Sequence, residues 1–148
     1  MITLRTIRTM KNSIALLLVD DDEDDRNLFR EALDEIDATA DCFMATDGLN
    51  ALEFLNNCET LPDFIFVDLN MPRMNGKQLI RELKQNKQFE SIPVIIYSTS
   101  KIEEDVKETM GLGAAHYIKK PVSFNLICKE ISMALKGKWE SKKHHLPL

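Results

Sequence analysis

The 148 residues, 44% of them hydrophobic, suffice to bury one full core and hardly two. The net charge of −5 hides two basic ends: residues 1–12 and 136–148 carry +3 each, which leaves −11 on the body from 13 to 135 and argues against direct binding of duplex DNA. No apolar run approaches the roughly 20 residues of a membrane span, and three widely spaced cysteines, Cys42, Cys58 and Cys128, suit neither a disulfide framework nor a zinc site.

The first residues carry Arg5, Arg8 and Lys11 with no acid, but the apolar run that follows, Ile14 to Val19, is short and feeds six consecutive acids, Asp20 to Asp25. That is no cleavable signal, and a cytoplasmic protein is expected. Met10 offers a second start, so residues 1–12 read as a flexible arm. Ile14 to Val19 is a continuous apolar strand of the kind a parallel sheet covers on both faces. Leu28, Phe29, Ala32, Leu33 and Ile36 then form one helix face, with Asp24 and Asp25 favouring the dipole of its first turn.

A weak strand, Ala40 to Ala45, precedes the turn Thr46-Asp47-Gly48 and a helix carrying Leu49, Leu52, Phe54 and Leu55. Phe64 to Val67 is a short aromatic and β-branched run, a buried strand that ends on Asp68. Asn70, Pro72 and Gly76 mark the turn that follows, and a helix from about Gly76 to Gln85 places Leu79, Ile80 and Leu83 on one side. Val94 to Tyr97 is a fourth strand, ending on Ser98-Thr99-Ser100. A helix of roughly 102–110 with Ile102, Val106 and Met110 stops at Gly111 and Gly113. The strand His116-Tyr117-Ile118 leads into Lys119-Lys120-Pro121, and a last helix, about 123–136, buries Phe124, Ile127, Ile131 and Leu135 before Gly137 ends it. The tail beyond has no periodicity and reads as a solvated basic end. Five strands alternating with five helices predict one α/β domain over 13–136, doubly wound with right-handed crossovers.

Chemistry gathers at the strand ends. Asp20 and Asp21 follow the first strand, Asp68 the third, Ser98 the fourth and Lys120 the fifth, and a parallel sheet brings all of these ends to one edge. Three carboxylates together repel, and a hard divalent cation such as Mg²⁺ resolves that conflict with oxygen ligands while leaving room for a phosphate. Asp22 to Asp25 read as a solvated helix start. A strand-end carboxylate can act as a nucleophile towards phosphorus. Phosphoryl transfer then needs alignment and charge neutralisation, which Mg²⁺, the Lys120 ammonium and the Ser98 hydroxyl would supply at the three phosphoryl oxygens.

The segments Leu17-Leu18-Val19-Asp20-Asp21-Asp22, Val67-Asp68-Leu69-Asn70-Met71-Pro72-Arg73-Met74-Asn75-Gly76, Pro93-Val94-Ile95-Ile96-Tyr97-Ser98 and Tyr117-Ile118-Lys119-Lys120-Pro121 resemble the response-regulator receiver domain of two-component signalling, in order and over about residues 13–136. The resemblance implies a flavodoxin-like, five-stranded parallel sheet of order 2-1-3-4-5. It implies phosphorylation of Asp68 by the phosphohistidine of a sensor histidine kinase or phosphotransfer protein. Asp21 would bind Mg²⁺ directly, Asp20 mostly through water and Asn70 through its backbone carbonyl. Ser98 matches the switch hydroxyl, Lys120 the phosphate-pairing lysine, Tyr117 the aromatic that turns inward, and Lys120–Pro121 a cis peptide bond. Thr99 departs from the usual small residue after the switch hydroxyl, and its bulk would narrow access to the phosphate. Thr99-Ser100 with Glu103 and Glu104 beyond resembles the phytochrome-associated subgroup of stand-alone receivers.

Two other classes fit less well. A magnesium phosphohydrolase of the haloacid-dehalogenase type needs a second Asp two residues after its nucleophile, where this chain has Asn70, and it needs a cap insertion. A flavin site would need a phosphate cradle where the first loop is acidic. A receiver used only as a docking scaffold would not need the full set Asp20, Asp21, Asp68, Ser98 and Lys120. With no effector domain evident after residue 136, output is expected through a downstream protein, a phosphate relay or a homodimer, with no direct DNA or membrane binding.

Overall fold

The computed structural model describes residues 13–100 and 102–136 in full, and the backbone alone of 137–144. The N-terminal arm 1–12 and the last four residues of the tail lie outside the described residues. In chain order the elements are β1 (Ala15–Val19), α1 (Glu23–Ile36), β2 (Asp41–Ala45), α2 (Gly48–Asn57), β3 (Phe64–Val67), α3 (Gly76–Gln85), β4 (Val94–Ser98), α4 (Glu103–Gly111), β5 (His116–Lys119) and α5 (Phe124–His144). The strands form one parallel sheet in the order β2-β1-β3-β4-β5, as expected.

The apolar runs alternate between two cores, because successive side chains of a strand point to opposite faces. Leu17, Val19, Ile65, Val67, Val94 and Ile96 pack with Ala51 and Leu55 of α2 and with Leu79, Ile80 and Leu83 of α3. Leu16, Leu18, Phe64, Phe66, Ile95 and Tyr97 pack on the other side with Phe29 and Leu33 of α1 and with Ile127, Ile131 and Leu135 of α5. Each fully buried Leu, Ile or Phe contributes roughly 1.5–3 kcal/mol of burial free energy, so the sheet is a stiff frame. Phe29 meets Phe66 and Tyr97 edge-on at centroid distances of 5.0 and 5.4 Å. Turn chemistry matches these boundaries: Asp22, Asp47 and Asn75 cap the starts of α1, α2 and α3, the last in a reciprocal capping box with Gln78. Ser123 accepts from the Leu126 amide at the start of α5.

Four expectations need correction. Leu28 and Leu49 are exposed, since the buried stripes run through Phe29, Ala32 and Leu33 and through Ala51 and Leu55. At α4, Ile102 at its N-cap is 60% exposed and Met110 is exposed too, while Thr109 is the buried residue, its hydroxyl donating to the Asp105 and Val106 carbonyls. Phe124 is exposed, because the buried stripe of α5 begins one turn later at Ile127. Gly137 does not end α5, which continues to His144; an interior glycine costs a helix about 1 kcal/mol and is no stop by itself. The cysteines are free and half-buried, and burial pushes the Cys42 thiol up to about 11, which leaves it unreactive.

Candidate functional site

The ladder of the sheet fixes the site. Past the end of β1 the Asp20 amide still donates to the Ala45 carbonyl (3.0 Å), and past β3 the Asp68 amide donates to the Val19 carbonyl (2.9 Å). Past β5 the Lys120 amide donates to the Ser98 carbonyl (2.8 Å). Three candidate side chains therefore start from backbone held by strand-type pairing, a rigid placement for a residue outside a regular element.

The Lys120 ammonium lies 2.8 Å from Asp20 Oδ2, 2.8 Å from Asp25 Oδ2 and 3.0 Å from Asp68 Oδ2, and 5.7 Å above the centre of the Tyr97 ring. Asp68 is 7% exposed and the Lys120 side chain 8%. Burial alone would lower the Lys120 pKa, but the carboxylates of Asp20 and Asp25 close beside it outweigh that and hold it above the usual lysine range. Burial pushes the Asp20 carboxyl from its ordinary 3.8 up to about 6, against the pull of Lys120. Lys120 stays cationic, and Asp20 is ionised at neutral pH at a cost.

Asp20, Asp21 and Asp68 each offer a carboxylate oxygen within 4.8 Å of the others. Asp20 Oδ1 accepts from the Asp22 amide (3.0 Å), whereas the buried Oδ2 is held only by its 2.8 Å ion pair with Lys120 and accepts no hydrogen bond. A buried carboxylate oxygen short of a partner beside two more acidic oxygens is a donor set that a hard divalent cation fits. Asn70 is exposed, with its amide 3.4 Å from Asp68 Oδ1.

Ser98 is fully buried at the end of β4, and its Oγ accepts a long hydrogen bond from the Ser100 amide (3.3 Å). Tyr117 is half-buried against the core on the α2–α3 side, and its hydroxyl donates to the Ser100 carbonyl (2.9 Å). Thr99 between them is exposed. The expected cis Lys120–Pro121 bond is not found: no described peptide bond is cis. Trans is the favoured isomer of an X–Pro bond by about 0.5–1 kcal/mol, and with it Lys120 makes both its backbone hydrogen bond and its three ion pairs.

Three features escape a reading of the sequence. Asp25, placed above with the solvated helix start, reaches Lys120. Asp47 is buried, caps α2 and takes a 2.7 Å hydrogen bond from Arg73 Nε; burial would raise its pKa, yet that guanidinium and the Asn50 amide bring it below the usual carboxylate range. Arg73 sits at φ 61°, the left-handed region that a non-glycine residue occupies at a cost of about 1–2 kcal/mol. The pair ties down the loop that leaves Asp68. At that loop's other end an added Cβ on Gly76 would come 2.4 Å from the Asp68 carbonyl oxygen, so only glycine lets α3 start this close. The signals were present as Gly76 and Asp47, but the partners lie up to 26 residues away in sequence.

A doubly wound parallel sheet that gathers carboxylates and a buried lysine at its carboxyl edge has the architecture of a signalling receiver. A family model described as the response regulator receiver domain matches residues 16–132, and the chain belongs to this family of two-component signalling. It is 33% identical over 110 residues to the response regulator Rcp1 of Synechocystis, covering 71% of this chain and 75% of that protein. It is 31% identical over 121 residues to the sensor histidine kinase CheAY of Helicobacter pylori, covering 82% of this chain but only 15% of the kinase. Among solved structures it is similar to the phosphorylated cyanobacterial phytochrome response regulator RcpA, with TM-score 0.79, 25% identity and coverage of 87% of this chain and 96% of that one. It is also similar to the Mn²⁺-bound form of Rcp1, with TM-score 0.74, 30% identity and coverage of 84% and 96%. Among the described residues no helix is long and apolar enough to cross a membrane.

Proposed function

We propose that residues 13–136 form a phosphoacceptor switch in which Asp68 takes a phosphoryl group from a histidine kinase or phosphotransfer protein in the cytoplasm. The observation that carries this reading is the placement of Asp68, almost buried at the end of β3, between the acidic oxygens of Asp20 and Asp21 and the ammonium of Lys120. An Asp68 carboxylate oxygen forms the bond to phosphorus as the donor's P–N bond breaks and its electron pair stays on the histidine nitrogen. Lys120 neutralises charge on one phosphoryl oxygen, and the Ser98 hydroxyl donates to another after leaving the Ser100 amide.

Asp20, Asp21 and Asp68, with the Asn70 carbonyl, would hold Mg²⁺, which when bound neutralises charge on the transferring group. The movement of Ser98 reaches Tyr117 through Ser100, and the exposed face of α4, β5 and α5, with Ile102, Met110, Leu126 and Met133 on it, meets a downstream protein or a second copy. Incubation with acetyl phosphate and Mg²⁺ should raise the intact mass by one phosphate, and the Asp68→Asn variant or added EDTA should prevent it. Equal labelling of Asp68→Asn would overturn the assignment.

A further inference from the structure

Asp25 differs from the other acids of the first turn of α1. Its Oδ2 accepts a hydrogen bond from Lys120 Nζ at 2.8 Å, whereas Asp22 faces back to cap the helix and Asp24 is exposed. Its backbone is fixed by the site it serves: the Asp25 amide donates to Asp22 Oδ1, and the next residue, Arg26, donates through Nη1 to the Asp20 carbonyl.

An ammonium has three N–H donors, and here three carboxylates surround it: Asp20, Asp25 and Asp68. Two of these, Asp20 and Asp68, belong with Asp21 to the cluster suited to a divalent cation, and Asp25 does not. Cation and ammonium therefore compete for the same two carboxylates. A lysine 8% exposed that lost both partners without a third would be left as an uncompensated buried charge, which is strongly unfavourable. The Asp25 carboxylate is 41% exposed and stands outside that acidic cluster, so a cation seated there leaves its contact with Lys120 in place.

We propose that Asp25 is a positioning residue, the counterion that holds Lys120 at the site when a divalent cation takes Asp20 and Asp68. The ion pair stands on its own geometry, while its part in metal entry rests on the phosphoacceptor reading. Without Asp25 the ammonium stays clamped on Asp20 and Asp68, and the metal must displace it with nothing offered in exchange.

The test is a double-mutant cycle read by calorimetric titration with MgCl₂. Asp25→Asn should weaken Mg²⁺ binding by roughly three- to thirtyfold when Lys120 is present, and by less than about threefold in a Lys120→Ala background. Equal weakening in both backgrounds would reduce Asp25 to a general contribution to the field, and no weakening in either would remove its role; both outcomes overturn the proposal. A second measurement needs no Lys120 variant. In the Mg²⁺-loaded protein the Lys120 ¹⁵Nζ resonance should be protected from solvent exchange in wild type and lost in Asp25→Asn; its survival in Asp25→Asn overturns the proposal too. Wild-type protein that binds Mg²⁺ and labels at Asp68 but ignores Asp25→Asn refutes this inference alone. Wild-type protein that binds no Mg²⁺ refutes the metal site with it.

Discussion

Burial raises the Asp20 carboxyl to about 6, so the folded protein holds that proton more readily than the unfolded chain, whose Asp titrates near 3.8. Stability therefore falls as pH rises from about 4 to about 6, and the cost is fully present above that. The melting temperature of the metal-free protein should drop across this window, and Asp20→Asn should flatten the drop and melt higher at pH 7.5. Saturating Mg²⁺ should return most of the lost stability to wild type and little to Asp20→Asn. A wild-type profile unchanged by Asp20→Asn would mean that Lys120 already neutralises the carboxylate in full. At this scale Asp20, Asp21, Asp68 and Lys120 were legible because each stands at or just past a strand end, where the topology fixes position. Asp25 and the Asp47–Arg73 pair were not, since side-chain reach across 95 and 26 residues leaves no periodic trace.

Among the elements, α4 is held differently from the rest. Ile102 at its start and Met110 within it are exposed, and no side chain caps its start. Instead Lys77 of α3 bridges Asp105 (2.7 Å) and Glu108 (2.8 Å), Arg81 adds Glu108 (3.3 Å), and the Ser100 hydroxyl donates to Asp105 (2.6 Å). The Lys77 and Ser100 hydrogen bonds hold the Asp105 carboxyl below the usual range, so this support is present above its ordinary pKa and lost as pH falls below it. A helix kept in place by half-exposed ion pairs is the easiest one to release. Lys77→Ala should speed amide hydrogen exchange in α4 by about three- to tenfold while leaving the central turns of α1 and α5 unchanged. Uniform acceleration across the fold would show that α4 has no independence. The strands and α3 could be read because continuous apolar runs and a clean i, i+3, i+4 stripe have one solution. The face of α4 and the end of α5 could not, because polar partners from another helix, and the tolerance of helix for one glycine, override local pattern.

At the scale of the whole molecule, the sheet order converts five local strand ends into one edge, and both cores run up to it. Alternation between five strands and five helices made a doubly wound parallel domain legible from sequence, the strand order followed from the family resemblance, and the trans Lys120–Pro121 bond was not legible. Because the frame is stiff, a phosphoryl group at Asp68 has few ways to act at a distance except through Ser98, Ser100 and Tyr117, which are joined by hydrogen bonds. Unphosphorylated protein should already sample the rearranged state, since a ligand moves an equilibrium only by its differential affinity. Amide NMR with beryllofluoride, a phosphoryl mimic, should shift resonances across residues 98–120; shifts limited to the loops around Asp21 and Asp68 would show that Tyr117 is merely packed. The opposite edge of the sheet carries none of these groups. There Cys58 closes α2, and the exposed Glu59 and Thr60 lead into β3. Cargo spliced between Glu59 and Thr60, such as a fluorescent reporter, should leave the acetyl-phosphate labelling rate within about twofold of the parent, and a larger loss would mean that the two edges communicate. If the labelling rate holds, the proposed reacting end and the end that accepts cargo are separate, and a biosensor wired into the second would leave the first untouched.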